Sequence, residues 1–287
     1  MAGIPGPGLR RTRFAPSPTG PLHLGHAFSA LLAYGLAEPG QFLLRIEDID
    51  QSRCRPEWEQ EIFGDLAWLG LEWPLPVMRQ SERLPAYAAA LSRLAERGLI
   101  YPCCCRRADI RAALVAPQEG ADPPVGPDGL IYPGTCRGRL LADAGPDEAI
   151  RLNAGAAFDL LGIGQVSFDD EALPGDHRLG RTSFLARVGD VVLSRRGMGT
   201  SYHLAVVVDD AAQGITVVPR GVDLFESTYI HVLLQALLRL PRPIYHHHQL
   251  IRDTSGKRLA KRDDARALRR YREDGATPAT VRQLLGL

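Results

Sequence analysis

The chain has 287 residues, of which 45% are hydrophobic and 23% charged, and 34 Lys and Arg stand against 33 Asp and Glu for a formal net charge of +1. This is enough apolar sequence for one large or two smaller cores, while the absence of any run of about 18 apolar residues and of a signal-peptide pattern argues for a soluble cytoplasmic protein with no membrane role. A charge so close to zero excludes nucleic-acid binding by overall electrostatics, so any such binding needs a local basic patch.

In chain order, Arg13-Phe14-Ala15 is a short apolar run halted by Pro16 and Pro18; the chain turns at Gly20-Pro21 and enters Leu22-His23-Leu24-Gly25-His26. From Ala27 to Ala37 there is no proline and much Ala and Leu, so the stretch reads as strand, proline-stiffened loop and helix. The first turn of a helix presents unpaired N–H groups and the positive end of its dipole, which suits phosphate. His23 and His26 share one face of that turn, and Gly25 between them leaves room for a ligand. A Pro-rich surface loop before a core helix with two incidental histidines fits the same spacing.

Gln41 to Ile46 is a compact apolar run, as a βαβ unit of a parallel sheet requires, and it ends in Arg45-Ile46-Glu47-Asp48-Ile49-Asp50. Ligands of open α/β sheets bind at the carboxyl ends of strands, which places Glu47 to meet a substrate ammonium; an acidic helix start and a magnesium site are the other readings. Pro56 opens a helix carrying Trp58, Ile62, Leu66 and Leu69, and a second runs from Leu84 to Arg97 before Gly98.

Cys103, Cys104 and Cys105 are consecutive and Cys136 follows, a grouping that suits a metal in a reducing compartment better than a disulfide framework. Between them lie a polar helix to about Val115 and a Pro/Gly-rich stretch from Pro117 to Gly129. Cys103, Cys105 and Cys136 supply three thiolates where structural zinc takes four ligands, and no histidine lies nearby. A set containing Cys104 is chemically possible, as is an inert buried cluster. Short strands follow at 149–152, 164–168 and 191–194.

Tyr202 to Asp210 passes from polar groups into a strongly apolar run, Gly214 turns the chain into Ile215 to Val218, and Arg220-Gly221 follows. Pro219 removes a strand donor, so the strand is expected to end there. A helix is expected from Asp223 to Leu240. In the strand that contains His246, His247 and His248, alternation sends neighbouring rings to opposite faces, so the three do not converge on a metal. Arg252 to Arg272 holds nine basic and three acidic residues after a turn at Ser255-Gly256: a solvated helix face, or a basic loop that closes over phosphates.

Two of these stretches resemble known signatures. HLGH after APSPTGPL, with RIEDID at 45–50, is similar to the HIGH signature of class I aminoacyl-tRNA synthetases of the glutamyl type, and GKRLAKRDDA at 256–265 resembles the second signature, KMSKS, in its KLSKR form. The CxC followed by YPGTCR resembles the glutamyl-queuosine tRNA(Asp) synthetase family within that group, as does the run from Tyr202 to Gly221. The resemblance implies an α/β fold: a Rossmann-type class I catalytic domain in two halves (1–100 and 197–251), an inserted zinc-containing, tRNA-contacting subdomain (101–196), a KMSKS-like loop with a helical C-terminal segment (252–287), and no anticodon-binding domain. The implied activity is ATP-dependent activation of L-glutamate with Mg²⁺, then transfer of glutamate to the queuosine base of tRNA(Asp), by a monomer.

The family pattern assigns His23, His26 and Lys261 to catalysis and His23, Gly25, His26, Arg258 and Lys261 to ATP. It assigns Arg13, Phe14, Ala15, Pro16, Ser17, Glu47, Tyr202 and Arg220 to glutamate, and Cys103, Cys105, Tyr132 and Cys136 to Zn²⁺. Arg258 and Ala260 depart from KLSKR, which weakens the expected hold on the loop. A truncated glutamyl-tRNA synthetase that charges a 3′ end and a catalytically idle RNA-binding paralogue are the alternatives.

Overall fold

The computed structural model describes residues 8–115, 123–251 and 266–287; Arg258 and Lys261, with the rest of RLAKR, lie outside the described residues. Strand β1 (Thr12–Phe14), helix α1 (Leu24–Leu36) and strand β2 (Phe42–Ile46) form a parallel βαβ unit, with Thr12 opposite Phe42 and Phe14 opposite Leu44. The helix starts about one turn before Ala27, because the His23 ring accepts from the Gly25 N–H and caps it there. Pro56 opens α2 (Pro56–Trp68), whose Ile62 and Leu66 are buried. Strand β3 (Met78–Arg79) extends the sheet in parallel beside β2, and α3 (Leu84–Ala95) follows.

The middle of the chain contributes β4 (Ile100–Cys103), α4 (Arg107–Val115), the hairpin β5 (Val125–Gly126) and β6 (Gly129–Leu130), β7 (Ala149–Leu152), α5 (Ala154–Leu161), β8 (Gln165–Phe168), β9 (His177–Gly180), α6 (Arg181–Arg187) and β10 (Val192–Ser194). Strand β7 lies antiparallel between β10 and β4. Leu152, Phe158, Phe168 and Phe184 enter the same core as Leu94, Leu204 and Leu233, whereas Tyr101, Cys103, Ile110, Tyr132 and Cys136 make a small core of their own.

The last part holds α7 (Tyr202–Gln213), β11 (Val217–Gly221), α8 (Phe225–Leu238), β12 (Ile244–His248), α9 (Leu268–Glu273) and α10 (Pro278–Leu285). The valines of α7 are helical despite their strand preference, since Leu204 to Val207 are buried together with Asp209 and Asp210, and Gly214 closes the helix at φ 63°. Strand β11 pairs in parallel with β12, and both Thr216 and Val217 donate to the carbonyl of Arg11, which sets β11 beside β1. The parallel order is therefore β3-β2-β1-β11-β12, with all carboxyl ends at one edge.

Pro219 does not end its strand, contrary to the sequence expectation: β11 continues through Arg220 to Gly221. The Ile244 N–H donates to Thr216, and in a parallel ladder this parity turns the nitrogens of Val218 and Arg220 toward β12. The missing donor of Pro219 faces β1 instead, so the β11–β12 pair loses no bond.

At the far end of the chain, Leu268 donates to the Leu22 carbonyl at 2.7 Å and Ala267 bridges to His23. Leu268, Val281 and Leu285 enter the core under α1 and α2. Among the described residues, no helix is long and apolar enough to cross a membrane.

Candidate active site

The carboxyl edge of the parallel sheet opens into a cavity of about 440 Å³ lined by Arg13, Phe14, Ala15, Ser17, His26, Ser29, Glu47, Tyr202, Pro219, Arg220, Gly221 and Leu224. Seven of the eight residues expected to bind glutamate are in this lining, and Pro16, buried behind it, is not. They converge because β1, β2 and β11 run parallel, so the residues at their carboxyl ends share one edge. At Gly221 a Cβ would meet the Asp223 carboxylate and lie 2.9 Å from the Leu250 side chain, so both would have to shift to admit one.

Beneath the cavity lies a charge cluster that the sequence did not reveal. Arg45 is wholly buried and donates to Asp210 at 2.6 Å and to Gln213 at 2.9 Å, with Glu47 at 3.3 Å. Arg13 presents its fork to the same carboxylate, with Nε 3.0 Å and Nη2 3.4 Å from the two Asp210 oxygens, and Nη1 reaches the Pro219 carbonyl at 3.4 Å. Burial would push the Asp210 carboxyl up, but Arg13 and Arg45 hold it below the usual carboxylate range. For Glu47 burial prevails over Arg45 and Arg13, and its carboxyl is raised. Two guanidiniums and two carboxylates balance within this cluster.

Arg220 stands outside that balance. Its Nε donates to His247 at 3.1 Å, its Nη1 to His231 at 3.1 Å and its Nη2 to the Thr228 hydroxyl. Among the described residues no carboxylate forms an ion pair with it, although it is only 6% exposed. Burial and the neighbouring guanidinium lower both imidazoles, His247 to about 4 and His231 well below its ordinary range, so both are neutral acceptors. Of the five guanidinium N–H groups, three are engaged by described residues, and Arg220 lines the cavity. Burial also raises the Tyr202 phenol, which keeps it protonated.

At the mouth, His23 and His26 stack with ring centroids 3.8 Å apart. The Nδ1 of His23 accepts from the Gly25 N–H at 3.1 Å and that of His26 from the His23 N–H at 3.2 Å, so in the neutral rings the proton is on Nε2. Each imidazole is thus in the form that donates to a phosphate oxygen at the N-terminus of α1. Ser29, one turn on, bonds the His248 ring at 2.9 Å and ties this helix to β12. His246 faces Glu171 and His247 faces Asp170, so the three consecutive histidines diverge as strand alternation requires.

Apart from this cavity, the Sγ atoms of Cys103, Cys105 and Cys136 lie within 4.8 Å of one another. Cys105 Sγ is 3.6 Å from Cys136 Sγ and 3.5 Å from the Tyr132 hydroxyl, and the Cys136 N–H donates to that hydroxyl at 2.8 Å. Tetrahedral zinc with bonds of about 2.3 Å sets sulfurs roughly 3.8 Å apart, so the donor set fits. Cys104 Sγ is also 3.8 Å from Cys136 Sγ, but its side chain is exposed while Cys103 and Cys136 are buried. Burial pushes the Cys136 thiol up, and bonds from Tyr132, the Cys104 backbone and the other thiols bring it down to about 6, favouring the thiolate a metal takes.

The sequence missed Arg45, Asp210, His231 and His247. Polar residues inside apolar helices, such as His231 within Tyr229–Leu234, were the only available signal.

Comparison with known proteins gives a consistent picture. The family described as "tRNA synthetases class I (E and Q), catalytic domain" matches residues 10–121 and 167–287. The chain is 58% identical over 281 residues to a glutamyl-Q tRNA(Asp) synthetase of Rhodobacter capsulatus, covering 96% of this chain and 99% of that protein. A glutamyl-Q tRNA(Asp) synthetase of Nocardia farcinica is 44% identical over 95% of this chain and 82% of its own length. Among solved structures, a glutamate tRNA ligase from Elizabethkingia meningosepticum in complex with its amino acid superposes with a TM-score of 0.70 at 29% identity over 88% of this chain. The chain spans about half, 52%, of the length of that ligase.

Proposed function

We propose, for a chain that belongs to the class I tRNA synthetases of the E and Q type, that it activates L-glutamate with ATP and transfers the glutamyl group to the queuosine base of tRNA(Asp). The observation that carries the amino-acid assignment is Arg220, a buried guanidinium that has no carboxylate partner among the described residues and lines a cavity shared with Glu47 and Tyr202.

In this reading Arg220 takes the substrate's side-chain carboxylate, Arg13, held by Asp210, lines the same wall, and Glu47, Tyr202 and the Ser17 turn hold the ammonium end. The α-carboxylate oxygen then attacks the α-phosphorus of ATP in line, and the bond to pyrophosphate breaks. Protein chemistry here is positioning and charge stabilisation. His23 and His26 donate through Nε2 to the phosphates, and the Gly25 turn lets them approach. Lys261 and Arg258 complete the hold on pyrophosphate, with Mg²⁺ accompanying the nucleotide. In the second step a hydroxyl of the modified base attacks the acyl carbon, AMP leaves, and an ester forms.

Cys103, Cys105, Tyr132 and Cys136 would hold zinc, which would supply a structural cross-link between the end of β4 and the turn before β7. Cys105→Ser is expected to lose the one equivalent of bound metal, and Cys104→Ser to keep it. Metal analysis of the two purified variants decides this, and zinc loss from the Cys104 variant would overturn the ligand set.

Because the amino-acid and ATP groups all belong to one catalytic fold, glutamate-dependent exchange of pyrophosphate into ATP is expected without tRNA. An exchange that runs only when tRNA is added would favour a truncated enzyme that charges 3′ ends. The test of the whole assignment is to label mixed tRNA with radioactive glutamate, digest it and identify the labelled fragment. Label in the anticodon loop, lost when the tRNA comes from cells without queuosine, is the expected result; label on the 3′ terminal fragment would refute it.

A further inference from the structure

A donor-only group and an acceptor-only group are joined in this protein by two buried imidazoles. Arg220 Nη1 lies 3.1 Å from His231 Nδ1, His231 Nε2 lies 3.2 Å from His203 Nδ1, and His203 Nε2 lies 3.6 Å from Asp128 Oδ1. His203 and His231 are 4% and 2% exposed, so the series runs through the interior. Asp128 is fixed by the Val192 N–H at 3.1 Å and by Arg195 at 3.2 Å.

The tautomers follow from the ends. A guanidinium has no acceptor, so His231 Nδ1 must be unprotonated and its proton sits on Nε2. That proton points at His203 Nδ1, which must accept it, and the remaining proton of His203 then sits on Nε2 facing the carboxylate. The outer contact is longer than a hydrogen bond, but a carboxylate facing Nε2 favours the N–H there. A second, shorter series serves the other side of the guanidinium, from Arg220 Nε to His247 Nε2 and from His247 Nδ1 to Asp170. Neither series puts a carboxylate against the guanidinium itself, so Arg220 is oriented without being neutralised. A direct carboxylate, such as Asp210 provides for Arg13, would compete with an anionic substrate for the same fork.

We infer that His231, His203 and Asp128 are positioning residues for amino-acid selection, a directional chain that holds Arg220 with two N–H groups turned to the substrate's side-chain carboxylate. The inference deepens the reading of the cavity as a glutamate site and rests on it. Asp128 also lines a separate cavity of about 500 Å³ together with Arg107, Arg151, Arg195 and Arg196.

Long-range ¹H–¹⁵N spectra of histidine-labelled protein test the tautomers directly, with signals assigned by their loss in His203→Gln and His231→Gln. Both rings are expected to show an unprotonated Nδ1 and a protonated Nε2; a proton on Nδ1 of either would overturn the chain. The second test is Asp128→Asn in pyrophosphate exchange. The KM for glutamate is expected to rise roughly 10-fold, the size of one weakened charge-assisted bond, with the KM for ATP changed less than about two-fold. Preference for glutamate over glutamine is expected to narrow in parallel. In the Arg220→Leu background, glutamate binding measured by calorimetry is expected to be insensitive to the Asp128 change. An equal loss in both backgrounds would make Asp128 merely structural and overturn the inference. Should Asp128→Asn fail to fold, His203→Phe cuts the same chain and is judged by the same comparison. Unaltered protein with no glutamate-dependent exchange would refute the proposed function, while the tautomer spectra would still decide the chain.

Discussion

Replacing Arg220 with leucine is expected to lower glutamate-dependent pyrophosphate exchange by on the order of 30-fold to several-thousand-fold, equivalent to roughly 2–5 kcal/mol for a charge-assisted pair left unmatched in a closed site. Among the described residues the direct partners of Arg220 are His231, His247 and Thr228, all neutral, so its charge is available to the substrate. Arg13 cannot take its place, since Asp210 already occupies two of the Arg13 nitrogens. Glutamine offers only a neutral amide to the Arg220 fork, so the variant should lose glutamate activity far more than glutamine activity. The ratio of kcat/KM for the two amino acids, measured on both proteins, is the readout. ATP binding through the α1 N-terminus should persist, and an unchanged ratio would remove Arg220 from amino-acid recognition.

Asp210→Asn is expected to destabilise the fold by about 3–5 kcal/mol, the usual consequence of breaking a buried ion pair while leaving the partner charge in place. Here the stranded partner is Arg45, wholly buried, with Glu47 left as its remaining carboxylate. The depressed folded-state value of Asp210 means that its contribution is present above the unfolded carboxylate range and is lost as pH falls through the lower folded value. The difference between the variant and the unaltered protein in urea unfolding should therefore be full at pH 7 and shrink only under strongly acidic conditions. A difference below about 1 kcal/mol at pH 7 would show that the cluster contributes little beyond a surface pair. Arg13 also loses its anchor, so the variant should bind glutamate less well even where it is folded.

Much of the site was legible because its pieces are local. The turn from Arg13 to His26 encodes its strand by an apolar run, its loop by Pro16 and Pro18 and its helix start by the residues that cap it. The carboxyl-end rule for parallel sheets offered one of three readings of Glu47, and the residue lies in the cavity lining. The alternation argument that separated His246, His247 and His248 needed only the strand period, and the structure gives each ring a different partner. The cysteine grouping pointed to one cluster but left Cys104 and Cys105 as alternatives, and the structure brings the Sγ atoms of Cys103, Cys105 and Cys136 within 4.8 Å of one another.

Which short segments form a strand, a turn or a helix end, and which reactive side chains they carry, could be read along the chain, because these depend on neighbours within a few residues. Only the tertiary structure decided the electrostatics between them. Asp210 meets Arg13 across 197 positions and Arg45 across 165, and His203 meets His231 across 28, so no periodicity records these pairs. All three arginines are buried, and their partners set the consequences: Asp210 neutralises Arg13 and Arg45, whereas Arg220 meets His231, His247 and Thr228, though all read alike in the sequence. Pro219 follows the same logic. Its residue type predicts a strand end, but the cost of a missing N–H depends on which way that nitrogen faces, and this is set by the register with β12.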